Sequence, residues 1–355
     1  MLQQISDISS EIERNGFYVF KNSLEPQLVD KARAEIQAWL DRDIRERQDG
    51  GVEAAWFTGD AGISILTKPT QILLDAYAKS PALDLLVEQV LSDPLSSGVL
   101  KQLAGENIKF RGYNVQRMTG EPDPRPMIGI SPNPHEWHRD SPGEFGIALF
   151  LEDIPGPENG ATSLVPGSHY FPYCPRWNCL FGPPFKTKEG RGGLDFFLRF
   201  NIANRMLGRR INGRATGAYG KQGDFYFFIN DVWHGREPNM NGRAGIKFMI
   251  GAFPADEPFP DKVVPPDEET LAKLPPLVRK AASLASPAPS SETPNTILQR
   301  VRGHRAENAP ANIFKMAQYE RQFAESLSRL AYKFSEGMRT LTSPFAGRFP
   351  WSAKS

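Results

Sequence analysis

Apolar positions fall first at helical spacing and then at strand spacing. Val29, Ala32, Ile36 and Leu40 recur every three or four residues after Leu24-Glu25-Pro26, which predicts a helix with one apolar face through about Asp43. Leu83, Leu86, Val87 and Val90 predict a second helix over about Pro81 to Leu91. Before these, a short segment ending in Glu11 to Asn15 leads into Gly16-Phe17-Tyr18-Val19-Phe20, an aromatic and β-branched strand candidate. From about residue 108 the period becomes two, and Ile108 to Gln116 alternates as a half-buried strand does. Further strands are predicted over Phe145 to Leu151, Gly223 to Ile229 and Ile246 to Phe253, each bounded by Gly, Pro, Asn or Asp. Helices first and short strands afterwards predict a mainly β domain, a sandwich or barrel, with flanking helices. Residues 280–295 are rich in Ala, Ser and Pro and read as a linker or long surface loop. Beyond them Ile313, Phe323, Leu327, Leu330 and Phe334 trace a helical stripe, expected to pack on the main domain, with a homodimer seam as the alternative.

Composition narrows the classes. The 31 Gly and 31 Pro of 355 residues suit many strands and loops. Lys+Arg 42 against Asp+Glu 41 gives a net charge of +1, so a globally basic nucleic-acid or membrane-surface binder is disfavoured. No stretch approaches the roughly 18 apolar residues of a membrane span. The start MLQQISDISSEIERNG has no basic and then apolar secretory pattern, so a cytoplasmic location is expected. Two cysteines, Cys174 and Cys179, make neither a disulfide framework nor a zinc site and read as ordinary thiols.

Five histidines are present, His135, His138, His169, His234 and His304. In Glu136-Trp137-His138-Arg139-Asp140 an imidazole and a carboxylate stand two apart, so on an extended backbone both point to one side. That is a two-donor arm for a metal. Asn230-Asp231-Val232-Trp233-His234-Gly235, just past GDFYFFI, offers a third donor. Two histidines and one carboxylate on one face of an octahedron form the facial triad of non-haem Fe(II) oxygenases.

WHRDSPGEFGIALFLEDI, then NGATSLVPGSH, then GDFYFFINDVWHGREPN resembles the phytanoyl-CoA dioxygenase family of Fe(II)/2-oxoglutarate oxygenases, as does the opening GFYVFKNSLEPQLVDKARAEI. The likeness covers about residues 10 to 255. It implies a double-stranded β-helix (jelly-roll, cupin-like) core in an oxygenase domain over 1–255, with an insertion at about 171–222 and a helical C-terminal extension over 256–355. It further implies Fe(II) on His138, Asp140 and His234, with 2-oxoglutarate and O2 as cosubstrates. The distal carboxylate of 2-oxoglutarate is expected on Arg243. Many relatives carry that arginine eleven residues after the last His, where this chain has Gly245, so Lys247, sharing the same strand face, is the second candidate. Thr162 and Gln116 are lesser candidates for hydrogen bonds to the cosubstrate. With Asp140 present, the resemblance implies hydroxylation of an unactivated C–H bond rather than halogenation.

Other positions carry plainer expectations. His135 follows Asn133-Pro134 in an expected loop, away from the metal; His169 is expected to orient its turn by hydrogen bonding; His304 sits in a basic, solvated run. Trp137, Trp233 and Arg139 flank the metal donors as candidate walls of a substrate pocket. Residues 171 to 222 hold ten Lys and Arg against Glu189 and Asp195, which suits either a solvated basic face or attraction of an anionic small-molecule substrate. Two other functions compete: a metal-binding jelly-roll protein without 2-oxoglutarate turnover, and an RNA- or anion-binding module using the basic insertion. Neither a nucleic-acid partner nor a membrane is expected.

Overall fold

The computed structural model describes residues 1–49, 70–73, 76–118, 135–138, 143–157, 159–170, 215–236, 245–257, 263, 265–283 and 295–303, with backbone alone for 43–49, 70–73, 116–118, 135–138 and 236. The described strands form two sheets in which every pairing is antiparallel. The larger contains β1 (Phe17–Phe20), β2 (Thr70–Leu73), β3 (Ile108–Met118), β5 (Phe145–Phe150), β8 (Phe225–Ile229) and β10 (Gly245–Pro254), in the order β1-β8-β5-β10-β3-β2. The smaller contains β4 (His135–His138), β6 (Thr162–Leu164), β7 (Thr216–Gly217) and β9 (His234–Arg236), in the order β4-β9-β6-β7. The long strands follow the alternation of the sequence. Strands of two to four residues carry too few positions to show a period, and β2, β4, β6, β7 and β9 were not expected as strands.

Register divides the larger sheet into two faces, because residues directly opposite across an antiparallel pair share a face. Phe248 opposes Leu149 and Val115, while Ile147 opposes Phe227; all are buried on the outer face. There Phe20 stacks on Phe225 at 4.5 Å, and Tyr113 lies between Tyr77 at 4.4 Å and Phe248 at 4.9 Å. Fully burying each such ring contributes about 1.5–3 kcal/mol. Tyr226, Phe228, Ala148, Phe150, Lys247 and Met249 occupy the other, inner face. It meets the smaller sheet, as the Tyr226 hydroxyl bonds Thr162 Oγ1 at 2.8 Å and the Phe228 ring lies edge-on to His234 at 5.5 Å.

Helices cover the outside. The helix expected through Asp43 is α2 (Pro26–Asp49) and runs further, and the second expected helix is α3 (Pro81–Ser92). Two helices were not expected, α1 (Leu2–Asn15) and α4 (Pro94–Ala104). Helix α1 buries only Ile8, Ser9 and Ile12 and stops at Gly16, whose φ of 87° suits glycine. A Cβ there would lie 2.2 Å from the Val232 side chain. Asp93 ends α3 and caps α4, its carboxylate accepting the Leu95 and Ser96 N–H groups, with Pro94 in the first turn.

The C-terminal helices are α5 (Glu268–Lys273), α6 (Pro276–Ala282) and α7 (Ile297–Gly303). Leu274, Val278, Ala282, Ile297, Leu298 and Val301 join the same apolar core as the sheet and the N-terminal helices. Of the stretch expected as a linker, 280–282 close α6 and 284–294 lie outside the described residues. So do residues 171–214 of the basic insertion, with both cysteines, and everything after 303, including His304 and the helical stripe. Among the described residues no helix is long and apolar enough to cross a membrane.

Candidate active site

His234 opens β9, immediately after a turn that leaves β8. Three of its backbone positions are held by hydrogen bonds. Asn230 N–H donates to the Glu144 carbonyl at 3.0 Å, and Val232 N–H to that of Ile229 at 2.9 Å. Trp233 N–H donates to Ser168 Oγ at 2.7 Å, and the Trp233 carbonyl accepts from Val165 N–H at 2.9 Å. His234 is buried, and its Nδ1 lies 2.8 Å from the Val232 carbonyl. A carbonyl only accepts, so Nδ1 carries the hydrogen and Nε2 the lone pair, the usual arrangement of a metal-ligating histidine. On the neighbouring strand β4, His138 is directly opposite His234, after a register shift between His135 and His138. Bulges of this kind re-aim side chains beside functional sites. His135 belongs to β4 as well, opposite Arg236, which corrects its expected place in a loop. Asp140 and Arg139 lie outside the described residues, among which no three His, Cys, Asp or Glu side chains cluster. Two histidines at paired strand positions, with His234 already held in the ligating tautomer, fit ferrous iron, which takes imidazole donors.

A second polar group lies further along the inner face. On β10, Lys247 is opposite Phe150 on one side and Gln116 on the other. Its Nζ donates to Thr162 Oγ1 on β6, which also bonds the Tyr226 hydroxyl at 2.8 Å. Thr162 and Tyr226 are both buried. The sequence had suggested Thr162, Lys247 and Gln116 but not Tyr226, which is hidden in the uniformly apolar run GDFYFFI. Counting alternate residues back from the His234 end, Phe228 and then Tyr226, would have found it. Arg243 lies outside the described residues. A cavity of about 20 Å³, space for about one water, adjoins Lys247 and Thr162 and is walled by Ala148, Phe150, Ile154 and Tyr226. Glu152 borders it; burial pushes its carboxyl up to about 7, against the Ile246 N–H that it accepts at 2.6 Å.

At the His234 end, the inner face is shaped by glycine. Gly251 is opposite both Gly146 and Gly112. A Cβ on Gly146 would lie 2.0 Å from the Phe228 ring, and one on Gly251 2.5 Å from Glu144 Oε1. The Glu144 carboxylate therefore lies over Gly251. Arg111 joins it, donating from Nη1 to Glu144 Oε2 at 2.8 Å. Arg111 is the extra residue of a bulge, since Gly251 faces Gly112 and Ala252 faces Phe110.

His169 does what its turn suggested. It is buried, with Nε2 donating to the Glu13 carbonyl at 2.8 Å. Trp233 is buried beside His234, while of Trp137 only the strand position next to His138 is described.

The sequence profile of the phytanoyl-CoA dioxygenase (PhyH) family matches residues 12–245. No curated protein matches the chain. Among solved structures it is similar to the non-haem α-ketoglutarate-dependent epimerase SnoN from nogalamycin biosynthesis, at 14% identity over 72% of this chain and 84% of that one, with a TM-score of 0.44. It is likewise similar to HygX from Streptomyces hygroscopicus with nickel and 2-oxoglutarate bound, at 14% identity over 70% of this chain and 86% of that one (TM-score 0.45). AviO1 from Streptomyces viridochromogenes Tue57 is 18% identical over 72% of this chain and 97% of its own, with a TM-score of 0.45. With two thirds of its length under the family profile, this chain belongs to the phytanoyl-CoA dioxygenase family of Fe(II)- and 2-oxoglutarate-dependent oxygenases.

Proposed function

We propose that this chain is a dioxygenase that hydroxylates an unactivated C–H bond of a small organic substrate, with ferrous iron on His138, Asp140 and His234 and 2-oxoglutarate on Lys247, Thr162 and Tyr226. The observation that carries the reading is the pairing of His138 with His234 across neighbouring strands. The two sheets then read as the halves of a double-stranded β-helix, with His138 and His234 on the smaller half. When bound, iron and 2-oxoglutarate supply the oxidation: O2 is consumed, succinate and CO2 are released, and one oxygen atom enters the substrate C–H bond.

The chain's own residues do the rest. His234 offers Nε2 because the Val232 carbonyl holds Nδ1–H. Asp140 brings negative charge to a divalent cation. The Lys247 ammonium pairs with the distal carboxylate of 2-oxoglutarate, and the Thr162 hydroxyl, itself accepting from Tyr226, donates to it; hydrogen bonds to a charged group contribute about 1.5–3 kcal/mol each. Lys247 takes precedence over Arg243 in this role because its ammonium donates to the buried Thr162 hydroxyl, which in turn bonds that of Tyr226. Gln116, opposite Lys247, adds an amide. Phe228, Ala148 and Met249 wall the intervening space with apolar surface that excludes water. Arg111 and Glu144 supply polarity at the His234 end. The guanidinium is the more exposed member, at 34% against 4%, which suits an anionic group on the substrate. Trp233, buried beside His234, is proposed for the pocket wall, with Trp137 and Arg139 as the sequence neighbours of His138.

An anaerobic titration of the metal-free protein with Fe(II) and then 2-oxoglutarate tests this, read by the visible metal-to-ligand charge-transfer band. The band is expected in wild type, absent in His138→Ala, shifted to much higher 2-oxoglutarate concentration in Lys247→Ala, and unchanged in Arg243→Ala. Iron binding with no band at any 2-oxoglutarate concentration would overturn the cosubstrate site and favour a metal-binding protein without 2-oxoglutarate turnover.

A further inference from the structure

Residues 295–303 lie beyond the part of the chain that matches the family, yet two arginines of α7 reach back into it or to its edge, Arg300 to Glu13 near the end of α1 and Arg302 to Gly143 before β5 and Glu257 just after β10. Arg300 grips Glu13 with two parallel bonds, Nε to Oε1 at 2.9 Å and Nη2 to Oε2 at 2.7 Å, while Nη1 donates to the Asn295 carbonyl at 2.7 Å. Glu13 is a hub. Its carbonyl accepts from His169 Nε2 at 2.8 Å and from the Tyr170 hydroxyl at 2.7 Å. Two residues on, the Asn15 carbonyl accepts Gly167 N–H at 3.0 Å. The turn fixed in this way contains Ser168, whose Oγ accepts Trp233 N–H next to His234.

Arg302 acts on the other arm. Its Nη1 donates to Glu257 Oε1 at 2.6 Å, just after β10, and its guanidinium lies against Gly143. Gly143 has a φ of 85°, which favours glycine, and a Cβ there would stand 1.7 Å from Arg302 Nη2, so any side chain would push the guanidinium aside. Gly143 follows Asp140 by three residues and leads into β5.

We propose that α7 is a positioning element of the iron site. Arg300, through Glu13 and the turn at 167–170, fixes the approach to His234; Arg302, through Gly143 and Glu257, ties the lead into β5, three residues after Asp140 in sequence, to the end of β10. The inference rests on the proposed iron donors and extends the machinery of the site to a helix outside the family match. Partners that orient metal ligands typically change affinity by about 10- to 100-fold when removed.

The test uses the full chain and anaerobic Fe(II) titration against a competing chelator, with circular dichroism and a urea unfolding curve for every variant. Arg300→Ala and Arg302→Ala are each expected to weaken Fe(II) binding about tenfold. Arg300→Lys is expected to recover part of the loss, and Lys273→Ala, which breaks an exposed ion pair with Glu269 elsewhere, to change nothing. Iron affinity within about twofold of wild type in both alanine variants, whatever their unfolding midpoints, would overturn the inference and leave the proposed function standing. If an alanine variant does not fold, the glutamine variant at that position decides by the same criterion. A wild type that binds no Fe(II), or a His234→Ala protein that binds it as tightly as wild type, would bring down the proposed site and this inference with it.

Discussion

Ser168 is fully buried, and its hydroxyl accepts the Trp233 N–H one residue before His234. Ser168→Ala leaves that amide buried without its acceptor, at a cost of about 1–3 kcal/mol. We expect a lower urea midpoint together with weaker Fe(II) binding, the second read by titration. Tyr226 separates binding from folding. Tyr226→Phe keeps the ring among Phe150 and Phe228 but removes the hydroxyl from Thr162. The expected outcome is a 2-oxoglutarate dissociation constant raised about tenfold, one hydrogen bond's worth, with Fe(II) affinity unchanged. Equal 2-oxoglutarate affinity in the two proteins would remove Tyr226 from the site. The difference between these residues in the sequence is instructive. His138, Asp140 and His234 stand out because metal donors are scarce polar types at telling spacings. Ser168 and Tyr226 act through contacts between residues about 65 apart in sequence, and no local pattern encodes such a pairing.

Among the elements, β3 shows where reading by period succeeds and where it fails. Alternation from Ile108 to Gln116 identifies a strand, and the strand is there. Strict alternation, however, gives Phe110 and Tyr113 opposite faces, whereas their rings lie 5.8 Å apart. The bulge at Arg111 reverses the parity and allows Arg111 to meet Glu144. Helix α1 is legible only by period: Ile5, Ile8 and Ile12 recur at helical spacing in an otherwise polar run, with no apolar stretch and no capping side chain to mark its start. The bulge yields a prediction at its own scale. Arg111→Met strands the nearly buried Glu144 carboxylate without this partner, which costs on the order of 3–5 kcal/mol when a buried pair is broken. The double variant Arg111→Met/Glu144→Leu is expected to regain most of that stability, since apolar residues of similar volume often replace a buried pair at little cost. If the pair serves the substrate, the double variant still consumes 2-oxoglutarate but no longer couples it to product. Urea curves and the ratio of succinate to product measure the two effects.

Across the whole molecule, stability should depend on pH in the opposite sense to the common carboxylate case. Asp84, at the start of α3, is 2% exposed, and burial pushes its carboxyl up to about 7, with Glu35 of α2 adding repulsion and the Ala78 N–H opposing the rise. Tyr113 on β3 lies near enough that, beyond its own burial, Asp84, Tyr77 and Glu88 all push its hydroxyl up, and no cation is among the described groups that shift Asp84. Glu152, at the other end of the sheet, is raised to about 7 as well, with Arg33 drawing it down and Asp153 pushing it up. In the unfolded chain both carboxyls lose their protons near pH 4. Between there and about pH 7 the folded protein holds protons that the unfolded chain has released, so stability falls as pH rises through this window. The contribution of Asp84 alone is on the order of 3 kcal/mol between pH 4 and pH 8. Asp84→Asn keeps the shape of the side chain and an oxygen for the Ala78 N–H while removing the ionisation. We expect its urea midpoint to match wild type near pH 4, to exceed it at pH 8, and to flatten the profile between. A wild-type midpoint that rises from pH 5 to pH 8, or an Asn variant that keeps the wild-type slope, would show that the buried carboxyl under α3 does not carry its proton into the neutral range.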